Sequence, residues 1–494
     1  MRAARRVRSL SESMPEAASP PDNLRRMRGL IWLVAAAFFM QTLDSTIVNT
    51  AVPSIAHALA VRPIDLKTAL TSYVLTLAIC IPASAWLSDR FGTRRIFAAS
   101  ILIFTAGSLA CGISQSLPQL IAARVLQGIG GALLMPVGRY VLVRAFGPKD
   151  FVAAMSAAGI PGLLGPVLGP LLGGVLSQYA SWRLIFLVNV PVGLVGLWLN
   201  RSQMPDFRGE RRPFDWFGFA LFALASGMLL TAAEIGGDGD YRNAGIAALM
   251  GFFCAFGYWR YGRRARHPVA DLTLLKVRSF SIAVGGGMCT RLGTAGLSFL
   301  LMLFLQVGCG WTPTEAGLMI IPQAVAMVLM KLLIDRILKR YGYRHTLFVN
   351  TGLATLLLAS FALLDATTPW WAIAILMFIY GFVMSLQYTS MNTLAFVDLP
   401  PERAAQASSL TSAAQYLVIS FGIALSSWLL AVFLDNRHHD PAAYVHGFRI
   451  AVLVMAALPL VATYVFTRLR HDRPVRRAIE TPETATVDIG GTDG

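Results

Sequence analysis

Two charged residues stand isolated in long apolar stretches of this 494-residue chain. Asp44 lies in FMQTLDSTIVNTAVP and Arg124 in LIAARVLQGIGG. An ionised side chain in hydrocarbon is costly, so it pairs with an opposite charge or faces a water-filled cavity. Asp44 is the only acidic residue deep within an apolar run of either repeated half of the chain, which makes it the expected partner of Arg124. Burial opposes ionisation of a carboxylate and a nearby guanidinium favours it. A movement that alters their separation therefore controls whether Asp44 holds a proton, which is the chemistry of proton-coupled transport rather than of bond cleavage.

No other constellation points to a reaction. The chain has no HExxH, no paired carboxylates and no P-loop. His438-His439-Asp440 is a short run without further ligands. Neither an enzyme nor a metal site is expected, and no cofactor beyond a proton gradient. The five cysteines, Cys80, Cys111, Cys254, Cys289 and Cys309, show no CxxC and lie in or beside apolar runs, as small buried hydrophobes do.

The elements that position these residues are apolar helices. The chain is 55% hydrophobic and 14% charged, with a mean hydropathy of +0.60. Runs of about 20 residues, each long enough to cross a bilayer core, predict fourteen spans at 30–51, 66–88, 95–114, 119–143, 152–179, 182–200, 216–234, 243–259, 279–306, 314–334, 345–364, 369–394, 404–433 and 447–467. A net charge of +16 would suit nucleic acid only on a soluble basic face. Here 32 of the 42 Lys and Arg fall in the terminal tails and in the connections after even-numbered spans. That bias excludes nucleic acid as a partner and places both termini in the cytoplasm. The expected organisation is a cytoplasmic tail at 1–29, a six-helix bundle at 30–202, a two-helix insert at 203–278, a second six-helix bundle at 279–468 and a disordered cytoplasmic tail at 469–494.

The halves repeat. Asp89-Arg90-Phe91-Gly92-Thr93-Arg94-Arg95 follows the second span and Lys339-Arg340-Tyr341-Gly342-Tyr343-Arg344-His345 follows the tenth, 250 positions later. Repeated halves characterise transporters that rock about a site at mid-membrane. In the first copy Asp89 can accept from an arginine or a helix N-terminus, a lock that breaks when the halves separate, and Gly92 permits the turn. In the fifth span GLLGPVLGPLLGG sets Gly165, Gly169 and Gly173 four apart on one face, where another helix can approach closely. Pro166 and Pro170 remove backbone donors and bend the helix, so the run is expected to form a bend and a close-packing seam between the halves.

These segments resemble the major facilitator superfamily. DRFGTRR is similar to its loop pattern GxxxDRxGRR, with Ala85 in place of the first glycine, and RVLQGIGG is similar to its fourth-span RxxQGxGG, which implies a role in proton transfer for Arg124. Gly162, Gly165, Pro166, Gly169, Pro170, Gly173 and Gly174 resemble the fifth-span GxxxGPxxGG of its antiporters. LDSTIVNTAVP and WRLIFLVNVPVG resemble segments of the fourteen-span drug:proton antiporters of EmrB/QacA type. FMQTLDSTIVNTAVPS, SYVLTLAICIPASAWLSD and SMNTLAFVDLPPE resemble the MdtD/HsrA-like branch. The resemblance implies an all-α membrane protein with two six-helix bundles and two additional spans between them. It further implies a proton-coupled multidrug efflux antiporter of the bacterial inner membrane, whose partners are drug-like molecules, protons and lipid. An exporter of one defined metabolite or siderophore fits the same motifs, and no adaptor protein is assigned.

Positions sharing a face with Asp44 or Arg124 are candidates for a substrate cavity: Met40, Gln41, Val48, Gln127, Gly131 and Met135. Gln306, Met384, Gln387, Tyr388, Asn392, Gln415 and Tyr416 are candidates from the second half. Such a set suits a large amphipathic cavity with few directional groups. Charge adds an expectation. One deep acid faces three intramembrane arginines, Arg124, Arg139 and Arg291, so neutral, zwitterionic or anionic compounds should be exported better than dications.

Overall fold

A computed structural model describes residues 27–146, 148–210, 213–237, 239–265, 268–400, 403–434 and 440–469. Fourteen long helices follow one another: α1 (Arg28–Ala58), α2 (Pro63–Phe91, with 3-10 turns), α3 (Thr93–Ile113), α4 (Leu117–Ala145), α5 (Pro148–Tyr179), α6 (Leu184–Gln203), α7 (Trp216–Gly237), α8 (Tyr241–Gly262), α9 (Arg278–Gly308), α10 (Pro313–Lys331), α11 (Ile334–Leu363), α12 (Trp370–Leu394), α13 (Ala404–Leu434) and α14 (Pro441–Thr467). The described residues contain no strand. All but α8 are long and apolar enough to cross a membrane; α8 has the length, but Arg242 and Asn243 at one end and Trp259-Arg260-Tyr261 at the other dilute its hydropathy. The expected tails, the His438-His439 pair and several loop residues lie outside the described residues.

Two boundaries differ from expectation for a backbone reason. The helix α1 continues past Pro53 to Ala58, where the sequence reading ended it at 51. Between α10 and α11 the chain turns at Leu332-Leu333, and the stretch labelled α11 is two helical pieces, 334–341 and 343 onward, so the helix expected from 345 is preceded by a short helical piece that the sequence reading left as a connection. The stretch runs through the charged repeat and bends at Gly342, with φ 71° and ψ 169°. Gly92, its counterpart 250 positions earlier, takes φ 89° and ψ 145° between α2 and α3. The repeat is therefore a shared left-handed turn, which glycine adopts without a Cβ penalty.

Packing differs at the two ends of the bundle. At the end opposite the basic loops one apolar core draws on both halves, joining Ile47, Val52, Ile64 and Phe186 to Phe299, Leu305, Tyr380 and Phe448. At the basic-loop end the cores are separate. Leu30, Phe97, Val141 and Met204 belong to the first half, Phe280, Leu347, Leu394 and Phe466 to the second. Tyr416 of α13 is the one described residue of the second half packed on the first-half core there. The helices α7 and α8 pack on each other, and α7 packs on α13 and joins α2 through a hydrogen bond from Thr71 Oγ1 to Glu234 Oε1.

Candidate functional site

The site is assembled from five helices of the first half. Asp44 of α1 is completely buried, Arg124 of α4 is 1% exposed, and their side chains meet at 2.6 Å. The carboxylate accepts from three donors: Arg124 Nη1, Gln127 Nε2 at 2.7 Å and Asn189 Nδ2 at 3.2 Å. Arg124 and Gln127 lie one helical turn apart on α4, so both reach the same carboxylate. The guanidinium also donates to Gln127 Oε1 at 2.6 Å and, through Nε, to the Ala69 carbonyl at 3.4 Å. It lies over the Tyr73 ring, 3.9 Å from the centroid. Gln127 Nε2 donates further to Ser108 Oγ of α3 at 2.8 Å.

A buried pair is tolerated when its remaining lone pairs and protons find partners, and this one is supplied by α1, α2, α3, α4 and α6. Its core pairing was legible from charge alone. Asn189, Ser108 and Tyr73 were not singled out, although Asn189 interrupts the apolar run near the start of α6 and a buried amide needs a partner.

The glycine-proline run of α5 packs on α1 and does not touch the carboxylate. A Cβ on Gly165 would stand 2.7 Å from Leu43 N, and Cβ atoms on Gly169 and Gly173 would collide with Thr46 and with the Ile47 carbonyl. One on Gly162 would rest at 3.4 Å against Phe38. Thr46 Oγ1 donates to the Gly165 carbonyl at 3.3 Å. Thr42 and Thr46 lie on the side of α1 opposite Asp44, given about 100° per residue. The sequence reading placed this seam between the halves. It runs mainly within the first half, because the glycine face is covered by α1. Only its far end crosses, where Gly174 meets Pro313 and Pro170 meets Gly317 of α10. Pro166 and Pro170 line a cavity of about 110 Å³ between the halves, with Thr46, Asn49, Met302 and Gln323.

The lock residues take other partners than expected. Asp89 accepts from Tyr140 Oη at 3.1 Å and makes no ion pair or hydrogen bond with the second half among the described residues. Arg90 stacks beside Trp86 and Phe91, and Arg94 Nε donates to the Met204 carbonyl at 2.6 Å. Thr93 N donates to the Phe207 carbonyl at 3.0 Å. The loop is fastened to the segment after α6 in its own half, as separate cores at this end require. Arg95 is exposed.

Of the cavity candidates, Met40 and Gln41 are buried in helix packing, Met135 is half-buried against the first-half core, and Gln127 is held by Asp44. Gln387 is buried between α11 and α12, donating to Thr351 Oγ1 at 2.7 Å and accepting from Asn350 at 2.8 Å. Gln306 Nε2 donates to the Thr50 carbonyl at 2.8 Å and so ties α9 to α1. These amides are used by buried networks and the seam rather than by an open cavity. Arg291, Tyr388, Asn392 and Gln415 do come together: Arg291 lies 4.3 Å over the Tyr388 ring and Gln415 donates to Asn392 Oδ1 at 2.7 Å. Arg139 is exposed near the basic-loop end of α4. The described residues contain no group of three or more metal-ligating side chains.

Known proteins fit this architecture. The chain is 38% identical over 461 residues to a protein of Serratia proteamaculans provisionally named multidrug resistance protein MdtD, covering 91% of this chain and 95% of the relative. It is 40% identical over 454 residues to the protein of that name from Klebsiella pneumoniae, covering 90% and 95%. Among solved structures, a bacterial homologue of the human lysosomal transporter Spinster, inward-facing and occupied, matches with a TM-score of 0.64 at 15% identity, covering 88% of this chain and 95% of that one. A D-xylose-proton symporter matches with a TM-score of 0.62 at 13% identity, covering 90% and 98%. Residues 34–423 match the Major Facilitator Superfamily description. The helix order, the repeated glycine turn and these matches agree, and the chain belongs to the major facilitator superfamily.

Proposed function

We propose that this protein is a proton-coupled antiporter that exports amphipathic small molecules across the bacterial inner membrane, with the basic loops and both termini in the cytoplasm. The observation that carries the reading is the sealed Asp44 carboxylate, held by Arg124, Gln127 and Asn189 inside a membrane-spanning bundle. Relatives named for multidrug resistance support the substrate class. With the cavity open outward, Asp44 takes a proton; its neutralisation weakens the bond to Arg124 and favours the inward-facing arrangement. Substrate arriving from the cytoplasm or inner leaflet promotes proton release and the return. The closed far end and divided basic-loop end correspond to the inward-facing member of this cycle. The glycine seam of α5 holds α1 close, which seals the cavity against ion leak while the halves rock.

Asp44→Asn tests this. In everted vesicles the variant should remain folded and lose efflux driven by a pH gradient, across a panel of substrates whose wild-type efflux stops with an uncoupler. Undiminished gradient-driven efflux by the variant overturns the assignment.

A further inference from the structure

We infer that Arg291 is an anion-binding residue of the substrate site, and that the preferred substrates are organic anions carrying a bulky apolar body. This rests on the export reading above and specifies its substrate class. The helix α9 runs from Arg278 to Gly308, so Arg291 lies 13 residues from one end and 17 from the other. At about 1.5 Å per residue that is roughly 20 Å and 25 Å, beyond what an arginine side chain spans by snorkelling toward water. A mid-membrane guanidinium is retained where it has a partner or a task. Among the described residues Arg291 has no carboxylate partner. Its contacts are the face of Tyr388 and Asn392 Oδ1 at 3.5 Å.

That contrasts with Arg124, whose charge is matched by Asp44. It contrasts too with Arg139, six residues from the end of α4 and so within about 9 Å of the basic-loop end. The Arg291 surroundings are otherwise organised: Gln415 Nε2 fixes the Asn392 carbonyl, and Thr294 Oγ1 pairs with Tyr388 Oη at 2.7 Å. Guanidinium donors left over by protein partners match a carboxylate or sulfonate, and such charge-assisted bonds are the strong ones.

The apolar body has a place beside this charge. The walls next to Arg291 include Val284, Met288 and Met391. Met288 also borders a second cavity of about 580 Å³, walled by Leu292 of α9, Phe421 and Trp428 of α13, and Ala233 of the insert helix α7. That volume falls in the range of sites for drug-sized ligands. Met288 is the wall the two spaces share, so a ligand with its charged head at Arg291 would place its apolar body across Met288, where the insert helices α7 and α8 form part of the wall.

Binding is measured by titration calorimetry on the full chain in nanodiscs, with 1-naphthylacetate, 1-naphthylacetamide and 1-naphthylethylammonium as probes and empty nanodiscs subtracted. The wild type should bind the anion at least tenfold more tightly than the amide or the cation. Arg291→Gln should bring the anion to the affinity of the amide, Arg291→Lys should retain a preference for the anion, and Ala233→Phe should weaken all three alike. A wild type that binds the cation as tightly as the anion, or binds none of the probes, overturns the inference, as does a folded Arg291→Gln variant with its anion preference intact. The export reading is tested separately by uncoupler-sensitive efflux in vesicles. Charge-selective binding without such efflux removes the export reading and leaves the site, and efflux without charge-selective binding does the reverse.

Discussion

The Asp44–Arg124 pair supports a double-mutant cycle whose outcome the geometry fixes in advance. Arg124→Gln leaves a completely buried carboxylate with only the amides of Gln127 and Asn189, at 2.7 and 3.2 Å. Removing one partner of a buried pair costs about 3–5 kcal/mol. Asp44→Asn costs less, about 1–3 kcal/mol, because the guanidinium keeps the Gln127 and Ala69 carbonyls and the Tyr73 face. It is not neutral, since all three partners of Asp44 are donors and the new amide group must face one of them. The double variant carries no unpaired charge, so its loss should fall short of the sum by about 2 kcal/mol, the coupling expected of contacting residues. Denaturant or thermal unfolding of the purified proteins should therefore rank Arg124→Gln below Asp44→Asn, with the double variant more stable than additivity allows. Strict additivity, or an Arg124→Gln variant as stable as wild type, would refute the claim that the two charges sustain each other.

Two further outcomes follow from the seams. Gly165→Ala places a Cβ 2.7 Å from the backbone of α1 and should cost about 1–3 kcal/mol, whereas Gly159→Ala on the same helix meets nothing within 4 Å and should be neutral or gain up to about 1 kcal/mol; thermal unfolding of the two variants should separate them, and equal stability would count against the close seam. Gln306→Leu removes a cross-half hydrogen bond worth about 0.5–1.5 kcal/mol, which should shift the conformational balance roughly two- to tenfold away from the closed far end. The readout is cross-linking of a Gln178→Cys/Thr314→Cys pair in a background lacking the five native cysteines, since Thr314 N donates to Gln178 Oε1 at 3.2 Å; an unchanged cross-linking yield would refute this role of Gln306.

Legibility in the sequence followed the physics of each signal. Span number was readable because hydrocarbon imposes a length, and the Asp44–Arg124 pair because charge in hydrocarbon demands a partner. Gly92 and Gly342 were readable as a repeat, but that both adopt the left-handed turn needed backbone angles. Amides were the weak signal. Gln127, Gln306 and Gln387 have one composition and three environments: a carboxylate network, a link between halves and a neutral network of α11 and α12. An amide both donates and accepts, so its type states that it needs partners and not where they are. Asp89 shows a different limit. Its motif describes what it can pair with in a closed arrangement, while the observed partner, Tyr140, belongs to a divided one.

The placement of the charges also constrains how coupling is transmitted. Asp44 is sealed in the first half and Arg291 stands in the second, with no shared hydrogen bond, so direct competition for one site is not available to them. Each nevertheless lies on a helix that crosses the seam. The helix α1 carries Asp44 on one side, the Thr42 and Thr46 contacts to α5 on the other, and at Thr50 the carbonyl that binds Gln306 of α9, the helix that bears Arg291. Close-packed helices move as bodies because their interfaces hold few discrete arrangements. A change at the Asp44 network that shifts α1 against α5 must therefore either strain the Thr50–Gln306 link or carry α9 with it. That makes α1 and α9, rather than a chain of polar side chains, the physical connection between the proposed proton site and the proposed anion site.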